Sequence, residues 1–279
     1  MSRRRVVVTG GSKGIGHAVA TALAARGWQV TLLARDPVAL ERAREQLPGD
    51  GHEAVVLDVA DEEAWSRLEP RLGELEGLVC AAAVLDPVGP IGSYSAADFR
   101  RTIDVNVLGT LLAIGACLPA LRRSGGAIVT FGGGGATSPL PRFDAYAASK
   151  AAVVRLTENI AAELSADGVR VNSIAPGFVA TDIHRATLAA GPEVAGEDYF
   201  SRTRAELASG GVPASEAAEL ACLLLEGDPD SSFTGRLISA QWDAWRDPRF
   251  RRRLAAEPDL ATLRRIDDVF FAASGESPA

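Results

Sequence analysis

With 279 residues, 47% of them hydrophobic, the chain can bury a large core, and no Pro- or Ser-rich linker divides it, so one domain is expected. Its 36 acidic residues outnumber 29 basic ones. The net charge of −7 argues against a nucleic-acid-binding surface and leaves Arg3-Arg4-Arg5 as a solvated start. No apolar run approaches the ~20 residues that span a bilayer, and the amino end enters its first strand too soon for a signal peptide, so a cytoplasmic protein without membrane contact is expected.

Taken in chain order, apolar runs bounded by turn residues place strands near 5–9, 29–34, 53–57, 77–81, 126–131, 169–174 and 235–239. Helical periodicity falls near 15–26, 37–46, 61–72, 96–121, 144–166 and 213–226. Such alternation is the pattern of an α/β fold with a doubly wound parallel sheet, in which ligands bind beyond the carboxyl ends of the strands. Cys80, Cys117 and Cys222 stand apart in apolar segments, and His17, His52 and His184 are scattered, which reads as reduced core thiols and no metal site.

Two stretches carry chemistry. Val6-Val7-Val8 leads into Thr9-Gly10-Gly11-Ser12-Lys13-Gly14-Ile15-Gly16 and then into a helix-periodic run. This is a strand, a glycine turn and a helix. Glycines let backbone approach a pyrophosphate closely, and the free N–H groups of the first helical turn face that anion. Further on, Tyr146 and Lys150 lie four residues apart and so share one helix face, where the ammonium can lower the phenol pKa from its usual ~10 and make it a proton donor or acceptor. Alone, such a pair more often marks a solvated helix face.

Together these stretches resemble the short-chain dehydrogenase/reductase family, and the resemblance runs from about Arg5 to about Ile238. Four further positions agree. Asp58 stands where the family contacts adenine, and Asn106 where it holds a helix kink and a proton-relay water. Pro176-Gly177-Phe178-Val179-Ala180-Thr181 matches the segment that touches the nicotinamide carboxamide, and Ala82 falls at the end of the fourth strand. The resemblance implies a Rossmann-like single domain over residues 1–240, with residues 241–279 as a helical carboxyl-terminal extension on the same domain or on a neighbouring subunit. It implies Tyr146, Lys150 and Asn106 as catalytic residues. It further implies a cofactor site of Gly10, Ser12, Lys13, Gly14, Ile15, Gly16, Arg35, Asp58, Val59, Ala82, Tyr146, Lys150, Val179 and Thr181. Pairing of the long helices across a two-fold axis, giving a homodimer or homotetramer, is implied as well.

At the end of the second strand, Ala34 occupies the position where an acid would grip both ribose hydroxyls of NAD, while Arg35 and Lys13 are placed to hold a 2′-phosphate. NADP(H) is therefore expected over NAD(H), the alternative being that both cations are surface charges and that Asp36 reaches the ribose.

The chain departs from the family at three places. The catalytic serine position falls at Gly133 within Gly132-Gly133-Gly134-Gly135. Three readings are open. Backbone N–H groups of the glycines, which positive φ angles would favour, form an anion-binding concavity; Thr137 or Ser138 folds inward; or the glycines permit close packing. The usual Asn-Asn-Ala-Gly reads Cys80-Ala81-Ala82-Ala83, which costs sheet stability rather than chemistry. Beyond Ile238 the chain continues through Trp242 and Trp245, Arg249 to Arg253 and a helix-like Leu260 to Ile266. The two tryptophans suit either a sugar-like substrate pocket or a subunit interface. The expectation is an oxidoreductase moving a hydride between NADP(H) and a ketone or secondary alcohol, with a sugar-like or cyclitol-like substrate suggested by the tryptophans. The competing class is a cofactor-binding regulator or scaffold with little turnover, which Gly133 alone supports.

Overall fold

A computed structural model describes residues 3–228 and 232–265. Among the described residues, seven strands form one wholly parallel sheet in the order β3-β2-β1-β4-β5-β6-β7. They are β1 (Arg5–Thr9), β2 (Gln29–Ala34), β3 (Glu53–Val56), β4 (Gly77–Cys80), β5 (Ala127–Phe131), β6 (Arg170–Ala175) and β7 (Leu237–Ser239). One residue run explains the layering. In β1, Val6 and Val8 point into the layer holding Leu23, Leu40 and Leu220, whereas Val7 points into the layer holding Trp65, Cys117 and Leu121. A strand buried on both faces has to be apolar at every position, and the sequence there is.

The first layer is made by α1 (Gly14–Ala25), α2 (Pro37–Glu45) and α9 (Ala214–Glu226). The second is made by α3 (Glu62–Leu68), α5 (Gly109–Ser124) and α6 (Asp144–Glu163). The helix expected over 61–72 tightens into a 3-10 turn at Glu69–Arg71, because Pro70 offers no N–H to the α-helical ladder. Helix α4 (Ala96–Ile103) opens on a capping box, in which Ser95 and Asp98 exchange hydrogen bonds, and joins α5 through a π-helical bulge at Asp104–Leu108. The continuous stretch Ala96–Ser124 holds an 18-residue window of mean hydropathy 1.7. By length and composition it is apolar enough to cross a membrane, contrary to the reading that no such run exists. Half of that window is buried inside the fold against the sheet. Cys80, Cys117 and Cys222 are free and buried, and burial pushes the Cys80 and Cys222 thiols up to about 12, so they behave as core residues.

Two helices were not anticipated, α7 (Arg185–Ala195) and α8 (Glu197–Ser209). Their periodicity is broken by Gly191, with φ of +77°, by Pro192 and by Gly196, and these hide two short helices behind what reads as a loop. In the extension, the helix lies at α10 (Pro248–Ala256), capped by Asp247, rather than at Leu260 to Ile266. Ala261 has a positive φ, which a helix forbids, and Ile266 lies outside the described residues. Through Arg265 the extension packs on its own subunit. Trp245 and Leu254 are buried in the first-layer core, Arg251 pairs with Asp228, and the Leu237 N–H donates to the Ala261 carbonyl at 2.7 Å.

Candidate active site

The glycine turn is set by close approach. At Gly10, φ is +66° and a Cβ would sit 2.8 Å from the Ala82 nitrogen; at Gly16 a Cβ would meet the Gly10 carbonyl oxygen at 2.4 Å. No side chain fits either place, so α1 begins directly over the end of β1. The Thr9 hydroxyl accepts from the Ala82 N–H at 3.2 Å and ties the end of β1 to that of β4.

Beyond this turn opens a cleft of about 890 Å³ along the carboxyl ends of β1, β2, β4, β5 and β6. Every residue of the expected cofactor site lines it: Gly10, Ser12, Lys13, Gly14, Ile15 and Gly16 from the turn, Arg35, Asp58 and Val59 at one end, Ala82, Tyr146 and Lys150 in the middle, and Val179 and Thr181 opposite. Lys13 and Arg35 do not meet. Lys13 Nζ pairs with Asp182 at 2.9 Å across the mouth of the cleft, and Arg35 stands 3.7 Å from Asp58. Asp36 is engaged as the cap of α2, accepting from the Val38 and Ala39 N–H groups.

Tyr146 and Lys150 project from the first turns of α6. Lys150 is buried, donates to the Phe131 carbonyl at 3.1 Å, and holds its ammonium 5.6 Å from the centre of the Tyr146 ring. Burial lowers its pKa to about 8. The Tyr146 phenol is pushed above its ordinary value by burial and by the neighbouring Tyr199. The expected lowering by Lys150 is thus not found in this structure: burial raises the phenol and at the same time lowers Lys150 to about 8, so the ammonium gives up its charge before the phenol would ionise.

Asn106 does not line the cleft. It is buried in the π bulge, where its side-chain oxygen accepts from the Val84 N–H at 2.8 Å and its amide donates to the Val84 carbonyl and to Ser149 Oγ, each at 2.9 Å. Ser149 in turn donates to the Tyr146 carbonyl at 2.7 Å. A buried relay of side chains therefore clamps the β4 loop to the helix that carries Tyr146.

Of the four glycines, Gly132 and Gly135 are packing positions. Their Cβ atoms would meet Leu237 Cδ1 at 2.9 Å and the Ala147 backbone at 2.8 Å. None of the four has a positive φ in the glycine-favouring range, so that part of the expectation fails. A Cβ at Gly133 would lie 3.1 Å from Tyr146 Oη, so a hydroxyl-bearing side chain there would face the phenol. Thr137 and Ser138 are exposed and do not fold inward. Nor do the tryptophans line the cleft, since Trp245 is a core residue whose indole donates to the Ala240 carbonyl and Trp242 is 79% exposed.

Sequence reasoning missed the substrate side of the cleft, formed by Leu85, Asp86, Ile183, His184, Ala186 and Ala189. Ser149 was also missed, though its place between Tyr146 and Lys150 was a usable signal.

The chain matches the family model described as short chain dehydrogenase over residues 4–190. It is 34% identical over 184 residues to Carbonyl reductase family member 4 of Danio rerio, covering 64% of this chain and 77% of that protein. Among solved structures it is similar to NAD+-bound xylitol dehydrogenase, with a TM-score of 0.74 and 27% identity over 85% of this chain and 96% of the other. It is also similar to a single-substitution variant of actinorhodin polyketide ketoreductase with NADPH, with a TM-score of 0.75 and 26% identity over 85% and 95%. A match of this extent, across the residues that carry the glycine turn, Tyr146 and Lys150, makes the chain a member of the short-chain dehydrogenase/reductase family, oxidoreductases that act on CH–OH groups with nicotinamide cofactors.

Proposed function

We propose that the protein moves a hydride between NADP(H) and the carbonyl carbon of a ketone, or its secondary alcohol, with Tyr146 exchanging the proton. The observation that carries this reading is the convergence of Tyr146 and Lys150 on the cleft that the glycine turn opens. Gly10 and Gly16 make a cradle that any side chain would fill, which suits a pyrophosphate held by backbone N–H groups. When bound there, a nicotinamide supplies or takes the hydride. In reduction the Tyr146 hydroxyl gives its proton to the carbonyl oxygen as charge develops on it, and in oxidation it takes the proton back. Burial raises the phenol above its ordinary value, so at neutral pH it carries the proton it would donate. Lys150 keeps a proton up to about pH 8 and binds the cofactor ribose, while Asn106 fixes the bulge behind the site.

NADP(H) is supported by the exposed Arg35, by Ala34 where an acid would serve NAD, and by the engagement of Asp36 in capping α2. A sugar-like or cyclitol-like ketone loses the support of Trp242 and Trp245. It has that of Asp86 and Arg185 at the cleft and of likeness to a xylitol dehydrogenase. A dimer or tetramer is supported by Leu108 and Leu111, 39% and 47% exposed on the outer face of the bulge and α5. Light scattering is expected to give a multiple of 29.1 kDa.

The test is loss of reduced cofactor when purified protein meets NADPH or NADH and a panel of cyclic and open-chain ketones. Tyr146→Phe is expected to bind NADPH normally and turn over at least ~100-fold more slowly. An unchanged rate would remove Tyr146 from the chemistry. Tight NADPH binding with no turnover on any ketone would favour the regulator or scaffold that Gly133 suggests.

A further inference from the structure

An oxygen gaining negative charge is held best by more than one donor, and losing one such donor typically costs about 10²–10³ in rate. Gly133 leaves Tyr146 without a companion hydroxyl, and the polar groups nearby are spent or sealed. Ser149 donates to the Tyr146 carbonyl, and Tyr94 donates to Asp144 at 2.6 Å. Thr137 and Ser138 face solvent. Ser173 is fully buried in β6 behind Gly132, and His184 lies flat on Phe178, ring centres 3.9 Å apart, with its Nδ1 shut away.

Tyr199 of α8 is the exception. Building on the reductase reading above, we propose that the Tyr199 hydroxyl donates the second hydrogen bond to the substrate oxygen, in place of the side chain absent at Gly133. Its ring packs on Phe143 with centres 4.5 Å apart and planes tilted by 50°, and Phe143 precedes Tyr146 by a single turn at the start of α6. Both tyrosines pack on the same small core of Leu85, Phe143 and Ala195, which also holds the cleft residues Ile183 and Ala186. Beside burial, Tyr199 is what raises the Tyr146 phenol above its ordinary value. Among the described residues no group hydrogen-bonds the Tyr199 hydroxyl. Burial raises its pKa, so it stays a neutral, protonated donor where Tyr146 works.

The corner that carries Tyr199 is anchored rather than free. Arg142, at a positive φ just before α6, donates from Nη1 to the Glu193 and Val194 carbonyls at 2.7 and 2.9 Å, immediately ahead of α8. The balance of the reaction is unchanged: the hydride goes to the carbonyl carbon, the proton comes from Tyr146, and Tyr199 keeps its own proton throughout.

The experiment uses the full chain. Tyr199→Phe keeps the ring and its packing, so it should fold. It is expected to lower kcat about a hundredfold with little change in KM, as for a donor that acts on the developing charge, and Gly133→Ser added to it should recover most of that loss. Cyclohexanone labelled with 13C at its carbonyl, bound with NADP+ that has no hydride to give, supplies a readout without turnover. Its carbonyl resonance should move downfield on binding, less so in Tyr199→Phe, and again fully in the double variant. If Tyr199→Phe leaves both rate and resonance unchanged while Tyr146→Phe alters them, the proposal is wrong and the reductase reading stands. If neither variant alters the resonance, or the unmutated protein does not shift it, the ketone is not held at Tyr146 and both readings fall.

Discussion

The two sides of the cleft are built by different means. On the cofactor side, β1, the glycine turn and α1 are contiguous in sequence, and Gly16 and Gly10 are fixed by backbone, the Gly10 carbonyl and the Ala82 nitrogen. On the substrate side, the walls come from three distant places, the loop at Leu85 and Asp86, Gly132 after β5, and the segment from Ile183 to Ala189 that opens α7, backed by the small core that α8 joins. They are held by side chains such as Arg142 and Phe143. A wall made of local backbone tolerates almost no change in its small residues. A wall assembled from distant side chains can be rebuilt around a new substrate while the cofactor side stays as it is.

The largest effect that would sharpen this contrast is at the turn. Gly16→Val places carbon within 2.4 Å of the Gly10 oxygen, so NADPH binding should vanish by calorimetry and stability should fall by ~1–3 kcal/mol or more. Near-normal binding would mean that the turn is not backbone-limited.

Next comes Lys150→Met, where function and stability should part. Burial drops the Lys150 pKa from 10.5 to about 8, so between those values the unfolded chain binds a proton that the folded chain does not. By linkage, the stability owed to this group is lowest below pH 8 and rises as pH climbs from about 8 to 10.5. The methionine variant should therefore lose turnover yet be more stable at pH 7, by on the order of 2–3 kcal/mol, with the gap closing toward pH 10.5. A variant less stable at pH 7 would show that the ammonium is well compensated.

Arg35→Ala is expected to reduce the NADPH-over-NADH affinity ratio about tenfold by removing a charged phosphate partner. Tighter NADH binding by the unmutated protein would overturn the cofactor reading. The segment from Gly134 to Ser138 should run from moderate to negligible effects. Gly135→Ala, facing the Ala147 backbone at 2.8 Å, should cost ~1–3 kcal/mol, whereas Gly134→Ala, with open space at its Cβ, and the exposed Ser138→Ala should each stay within ~0.5 kcal/mol and leave rates unchanged.

The same contrast explains what could be read from the residues alone. The sheet was readable because Val6-Val7-Val8 is apolar without interruption and the other strands are largely apolar between turn residues, and the glycine turn because its spacing is a backbone requirement. Helices α7 and α8 were not, since Gly191, Pro192 and Gly196 erase the helical period over the stretch that walls the substrate. The Tyr146 phenol was misread because spacing reveals that Lys150 shares its helix face, but not that the ammonium is drawn to the Phe131 carbonyl nor how deeply the ring is covered. Trp245 was read as either a pocket or an interface residue because composition cannot distinguish an indole that lines a surface from one that fills a core.

The bond from Leu237 to Ala261 matters beyond the subunit's own packing. β7 is the last strand of the sheet, and an uncovered last strand offers a row of backbone donors and acceptors to any passing chain. Here the Ala261 carbonyl occupies the Leu237 N–H, and Arg236 reaches the Pro258 and Leu260 carbonyls to hold that segment alongside. The extension is thus a guard rail against strand-to-strand association, and a chain ended at Glu257 should self-associate through β7 even where its cleft remains intact.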